Sequence, residues 1–211
     1  MKIALIGYGK MGHMIERIAL SRGHEIVAVV DPIERRGRIE DAEVAIEFST
    51  PATAEANVRM CFEKQLPVVC GTTGWDSKPL QDTEHAFIWT SNYSLGVNIL
   101  FAMNRKLAQI MSRYPEYTPS ITEVHHIHKL DKPSGTAKTL AEALPKGTAI
   151  ESVREGEVPG IHTIEWDSEV DTLTLSHSAK SREGFALGAV LAAEWLPGKK
   201  GFHTMQEVLG L

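Results

Sequence analysis

Ile3-Ala4-Leu5-Ile6-Gly7-Tyr8-Gly9-Lys10-Met11-Gly12 decides the fold class of this chain. Four apolar residues in a row suit a short strand buried on both faces, as in a parallel sheet. The six residues that follow fit G-x-G-x-x-G. Met14, Ile15, Ile18 and Ala19 then share one face of a helix expected from about Met11 to Ser21. Glu25 to Val30 reads as a second strand, with Asp31 at its end. In such a unit the glycines permit a tight turn, close approach to a pyrophosphate and packing of helix on strand. An acid about 20 residues past the last glycine accepts ribose hydroxyls, and Asp31 stands there. The glycine pattern alone is weak. With the strand, the helix, the second strand and the acid it reads as a dinucleotide-binding unit.

The alternation continues. Val44 to Phe48 is a third strand, and Thr50-Pro51 opens a helix to about Lys64. Pro67 to Cys70 and Phe87 to Thr90 are the fourth and fifth strands, ending in Gly71-Thr72-Thr73-Gly74 and Ser91-Asn92-Tyr93-Ser94. Ligands bind at the carboxyl ends of strands in an open parallel sheet. The segments 49–51, 71–74 and 91–94 all fall there. Each alone is an ordinary turn; their shared position predicts a cofactor cleft. Between the second and third strands stand only eleven residues, Pro32 to Ala42. A parallel crossover with its helix needs about 10–12 or more, so a shrunken helix or a loop is expected.

From Leu95 the pattern changes. A long helix is expected from Leu95 to Tyr114, then a strand from Ser120 to His126. Gly160 to Trp166 and Thr172 to Ser178 look like neighbouring strands of a separate sheet with one exposed face. A helix from Phe185 to Leu196 closes the pattern. The expected architecture is α/β. A Rossmann-type parallel-sheet nucleotide domain spans 1–94 and 183–211, and an α+β substrate and oligomerisation domain with a mixed sheet spans 95–182.

The chemistry concentrates in Glu123-Val124-His125-His126-Ile127-His128-Lys129-Leu130-Asp131-Lys132-Pro133-Ser134-Gly135-Thr136-Ala137. Three histidines, lysines and acids precede a small-residue turn that leads into an apolar-periodic segment through Leu144. Ser134 and Thr136 are good helix N-cap types, and a helix N-terminus attracts anions. Proton-transfer groups therefore precede an anion cradle, which points to an enzyme acting on a small anionic substrate. The plain alternative is a strand edge with solvated histidines before an ordinary capped helix.

Composition agrees with a globular enzyme: 43% hydrophobic and 23% charged residues. A net charge of −5 gives no general reason to expect nucleic acid. No apolar run is long enough to span a membrane, and the chain opens on a strand rather than a leader. Cys61 and Cys70, the only cysteines, sit in apolar surroundings and read as reduced core thiols of a cytoplasmic protein. No metal site is expected.

Together these motifs resemble the dihydrodipicolinate reductase family of lysine and diaminopimelate synthesis. The resemblance is carried by Gly7-Tyr8-Gly9-Lys10-Met11-Gly12, Glu47-Phe48-Ser49, Cys70 to Gly74, Ser91 to Asn98 and the run from Glu123 to Ala137. Arg154-Glu155-Gly156, Pro159 to Thr163, His177 and Ser181-Arg182 through Leu196 match as well, so it covers nearly the whole chain. It implies NADH or NADPH as cofactor and 4-hydroxy-tetrahydrodipicolinate, a small dicarboxylate, as substrate. It implies His125 as proton donor, with Lys129 as its catalytic partner and His126 beside the substrate. Ser134, Gly135 and Thr136 would hold a substrate carboxylate. Gly7, Gly9, Lys10, Met11 and Gly12 would form the pyrophosphate loop, with Asp31, Gly71, Thr73, Ser91 and Tyr93 completing the cofactor contacts. It also implies a homotetramer built on the substrate-domain sheets. The chain is shorter than most members around Pro32 to Ala42, and Asp31 is followed by Pro32, with Arg35 and Arg36 slightly later. The open alternatives are an amino-acid dehydrogenase on the same plan and a nicotinamide-sensing regulator without catalysis. The intact His-His-x-x-Lys run argues against the second, since sensing needs no proton donor.

Overall fold

Ile3, Ala4, Leu5 and Ile6 are each at most 1% exposed, so β1 (Lys2–Ile6) is buried on both faces, as its apolar run requires. The computed structural model describes residues 1–211. After β1 come α1 (Lys10–Ser21), β2 (Glu25–Val30), β3 (Arg35–Gly37), β4 (Val44–Glu47), α2 (Pro51–Glu63), β5 (Val68–Cys70), β6 (Phe87–Trp89) and α3 (Leu95–Met111). Then follow β7 (Thr118–His125), α4 (Gly135–Ala141), β8 (Ala149–Arg154), β9 (Ile161–Asp167), β10 (Thr172–Ser178), α5 (Glu183–Trp195), β11 (Phe202–His203) and α6 (Met205–Leu209). The chain divides into two compact units, Met1–Ser94 with Phe185–Leu211, and Leu95–Gly184.

The first unit is a Rossmann-type α/β layer structure. Its sheet runs β11-β6-β5-β4-β1-β2-β3, parallel except for β3. Strand alternation sends β1 side chains to two separate cores. Ile3 and Leu5 join Ile15 and Ala19 of α1 and Ala189 and Ala193 of α5. Ala4 and Ile6 join Val58 and Cys61 of α2. Both free cysteines are buried, and burial first of all pushes the Cys61 thiol up to about 12.

The segment 32–42 carries only a shrunken helix, as its length predicts, preceded by a short strand that the sequence did not announce. Asp31 Oδ1 accepts the Ile33 N–H at 2.9 Å, a local turn that sends the chain back as β3, antiparallel to β2. A single 3₁₀ turn, Ile39–Asp41, then leads into β4. A hairpin edge thus replaces the crossover helix.

The second unit carries a four-stranded mixed sheet in the order β10-β9-β7-β8. β7 and β8 are parallel, the other pairs antiparallel. Val97 and Leu100 of α3 and Ala137 and Leu140 of α4 share a core with Ile121, Ile164 and Trp166 of the sheet. The expected helices from Leu95 and Ser134 end earlier than their periodicity suggested, at Met111 and Ala141. β8 was not legible in the sequence because Ala149–Arg154 buries no residue fully. Along β7, Ile121, Glu123 and His125 all point to the buried side.

Candidate functional site

The glycine loop divides its labour. Gly7 adopts φ +88°, and a Cβ there would lie 2.1 Å from the Phe48 carbonyl oxygen. At Gly12 a Cβ would lie 2.6 Å from the Gly7 carbonyl oxygen, so this glycine lets α1 pack on the turn. Gly9 alone of the three faces open space, with nothing within 4 Å of where a Cβ would stand. It caps α1 with no side-chain hydrogen bond. This is a cradle with its floor built and its mouth clear, and the residues fit a dinucleotide pyrophosphate. Lys10 is exposed and Met11 half-buried at the start of α1.

Asp31 anchors the loop as well as facing it. Its Oδ2 accepts the Tyr8 N–H at 2.9 Å while Oδ1 holds Ile33. The bonds from the Ile33 and Tyr8 amides keep its carboxyl below the usual range. Arg36 lies over the Tyr8 ring at 5.2 Å and pairs with Glu34 at 2.9 Å and with Glu16. Arg35 is exposed.

At the ends of β5 and β6 the expected contacts separate. A Cβ on Gly71 would collide with the Phe48 ring at 2.1 Å, and Thr73 and Ser91 are exposed. Tyr93 does not fit a cofactor contact through its side chain. It is 2% exposed, and its hydroxyl donates to the Cys70 carbonyl at 2.8 Å and lies 3.3 Å from that of Ile88. An amphipathic ring in a polar strand-end segment reads as a surface contact in sequence, but the apolar cluster around α5 claims it.

The second constellation is assembled by strand register in the other unit. Glu123 and His125 lie two apart on one face of β7. Across the ladders Glu123 stands opposite His162 of β9, His125 opposite Arg154 of β8, and His162 opposite His177 of β10. His125 Nδ1 lies 3.0 Å from Glu123 Oε2, and His162 Nε2 lies 3.9 Å from it. The other Glu123 oxygen accepts from the Ser134 N–H at 3.1 Å and from Arg154 Nη2 at 3.0 Å. Burial would raise the Glu123 carboxyl, but hydrogen bonds, from Ser134 first and also from Arg154, outweigh it and hold it at about 2. Burial is the main force on the two imidazoles, lowering His125 and taking His162 to about 4.

β7 ends at His125, and the chain then turns, with the Lys129 N–H donating to the His126 carbonyl at 3.1 Å. Lys129 Nζ pairs with Asp131 at 2.7 Å, and His126 is half-buried. Ser134 caps α4, its hydroxyl accepting the Ala137 N–H at 3.2 Å and meeting His162 Nε2 at 3.2 Å. Its own N–H is held by Glu123. Gly135 is exposed and Thr136 half-buried on the first turn of α4. Gly160, at φ +150°, leaves room beside His125, where a Cβ would lie 3.1 Å from Nε2.

Glu123, His125 and His162 bring three ligating atoms within 4.8 Å of one another, a grouping that could hold a cation. Arg154 and Ser134 already occupy this cluster, and a guanidinium 3.0 Å from the carboxylate opposes a second cation. The arrangement reads as a hydrogen-bonded acid–base group. Sequence reasoning missed Glu123, His162 and Arg154 as site residues. Glu123 left a local signal, its two-residue spacing from His125 on a strand, whereas Arg154 and His162 stood out only as parts of the family motifs, with no role attached.

Comparison with known proteins gives the same reading for both units. Residues 1–104 match the family model described as dihydrodipicolinate reductase, N-terminus, and residues 96–209 match its C-terminus. A 4-hydroxy-tetrahydrodipicolinate reductase from Christiangramia forsetii is 43% identical, with 99% of this chain and 98% of the relative covered. One from Thermosipho africanus is 35% identical with the same coverage. Among solved structures, a dipicolinate-bound dihydrodipicolinate reductase from Paenisporosarcina sp. TG-14 superposes with a TM-score of 0.77 at 22% identity, covering 98% of each chain. With both family models matched in order along its length, this chain belongs to the dihydrodipicolinate reductase family.

Proposed function

We propose that this chain reduces 4-hydroxy-tetrahydrodipicolinate to tetrahydrodipicolinate in lysine and diaminopimelate synthesis, with His125 as proton donor. The activity is that of an NAD(P)H-dependent oxidoreductase. NADH or NADPH, when bound, would supply the hydride. Gly7, Gly9, Lys10, Met11 and Gly12 would hold its pyrophosphate, and Asp31 would take a ribose hydroxyl. The substrate's hydroxyl leaves as water with one hydrogen from its own ring, and one hydride and one proton add to the ring. His125 delivers the proton from Nε2, the nitrogen beside Gly160. Lys129 offers its ammonium to a carboxylate or to developing negative charge, and His126, Gly135 and Thr136 line the same substrate position. Ser134 acts by holding this turn, since its N–H and hydroxyl are both engaged within the protein.

The observation that carries the reading is a buried imidazole at the end of β7 followed at once by the turn bearing Lys129. The test follows oxidation of NADH or NADPH in the presence of the condensation product of pyruvate and aspartate semialdehyde. Substrate-dependent oxidation is expected, and none with either cofactor would overturn the reading.

Both cofactors are expected to serve. Asp31, fixed as an anion by two amides, favours a free ribose hydroxyl, while Arg36 next to Tyr8 can meet a 2′-phosphate only in competition with Glu16 and Glu34. The kcat/KM values should differ by less than about a thousandfold, near 4 kcal/mol. A larger preference for NADPH would show that Asp31 does not set the choice.

The protein works as a homotetramer in the cytoplasm in this proposal. No helix is long and apolar enough to cross a membrane. The outer face of the second sheet carries Thr163, Glu165, Thr172 and Thr174, and Leu173 on that edge is 42% exposed. Pairing such faces between copies covers them. Light scattering at micromolar concentration should give about four times the 23.2 kDa chain mass. A monomer mass would remove the tetramer.

A further inference from the structure

Glu123 has no solvent exposure, and no step above uses it. A carboxylate buried this deeply persists only where each oxygen has partners. Oε1 has two, the Ser134 amide and the Arg154 guanidinium. Oε2 has no hydrogen-bond partner of good geometry, yet it lies 3.0 Å from His125 Nδ1, itself buried and otherwise unpartnered. A small rotation of the imidazole joins the two orphans. The proton between them must then sit on His125, because a carboxylate held as an anion only accepts.

Arg154 extends the same anchor. Its Nε donates to the Lys129 carbonyl at 3.2 Å, Nη2 also donates to the Asp131 carbonyl, and Nη1 donates to the Val153 carbonyl at 2.7 Å. The guanidinium thus binds Glu123 on one side and the backbone of the Lys129 turn on the other.

We propose that Glu123 is a positioning residue for the reduction: it holds His125 with Nδ1 protonated and Nε2 turned towards the substrate and, through Arg154, fixes the turn that carries Lys129. This rests on the reading of His125 as proton donor. A base oriented through its second nitrogen by a buried carboxylate is a recurrent device, because the anion selects one tautomer and stabilises the imidazolium. The groups facing His125 are Glu123 from β7, Arg154 from β8, His162 from β9, and Lys129 and Asp131 from the turn. Glu123 and Asp131 favour the imidazolium; Arg154 and Lys129 oppose it. Removing the Glu123 charge leaves the two cations less opposed.

The test uses the full-length enzyme and Glu123→Gln, which keeps the shape and an acceptor but can present an N–H to Nδ1. Long-range ¹⁵N–¹H spectra report the ring proton, the His125 signals being those absent from His125→Gln. In the wild type, neutral His125 should carry its proton on Nδ1. In Glu123→Gln the tautomer should shift towards Nε2–H. There kcat should fall by roughly tenfold to 10⁴-fold with cofactor affinity held. The limb of the pH profile assigned to His125 should also move to lower pH. A wild-type His125 protonated on Nε2 overturns the proposal whether or not the variant folds. So does a folded Glu123→Gln with unchanged tautomer and kcat. If instead His125→Ala keeps full turnover while the wild-type tautomer is as stated, the proton-donor reading falls and the orientation of His125 by Glu123 survives.

Discussion

His125→Ala is expected to bind cofactor normally and to lose roughly 10²–10⁴-fold in kcat, the usual contribution of a general acid. The residue is 7% exposed at the end of β7, and truncating its side chain removes the proposed proton source without touching the glycine loop of the other unit. Steady-state kinetics separates this from a binding role, in which KM rises and kcat holds. The pH profile gives the sign of the effect independently. Burial lowers the His125 pKa below its ordinary 6.5, and Lys129 and Arg154 act the same way against Glu123. The acid form is therefore lost as pH rises through a value below 6.5, and kcat/KM should fall along that limb. His125→Ala should lack the limb. Full turnover by His125→Ala at saturating substrate would leave water as the proton source. Lys129→Ala, by contrast, should act mainly on KM, because the ammonium is already paired with Asp131 and is offered to substrate from that pair.

Gly9→Val should weaken NADH and NADPH binding by roughly 10²-fold or more, about 2.8 kcal/mol, in a protein that still folds. A side chain there enters open space, where the proposed pyrophosphate would lie. Gly12→Val is expected to behave differently. Its first side-chain carbon meets the Gly7 carbonyl at 2.6 Å, so the loss appears in thermal stability and in the seating of α1 before it appears at the ligand. Fluorescence titration with each cofactor, beside a melting curve for each variant, distinguishes the two. Equal cofactor affinity in wild type and folded Gly9→Val would exclude this loop as the pyrophosphate site.

These two glycines show what a linear pattern conveys. G-x-G-x-x-G after a buried strand announces the unit, and each glycine matters, but which one faces ligand and which one packs depends on atoms from elsewhere in the turn. Tyr93 makes the same point. Its neighbours Ser91 and Asn92 mark a strand end, yet whether its ring points outward or into the core under α5 is decided by residues some hundred positions later. The segment 32–42 is too short to announce a crossover helix, and the Asp31 side-chain turn resolves it into a hairpin.

Local periodicity and motif chemistry by themselves determined the parallel sheet, the glycine loop, the change of architecture at Leu95 and the histidine–lysine run, because each is written within a few turns or strands of consecutive residues. The partners of that run came only from tertiary structure. Glu123, Arg154 and His162 stand on three strands, and their meeting depends on a parallel β7–β8 pair and an antiparallel β7–β9 pair in one register. A slip of one residue in either ladder would turn the facing side chains to the opposite side of the sheet, and no local pattern in the sequence encodes that register.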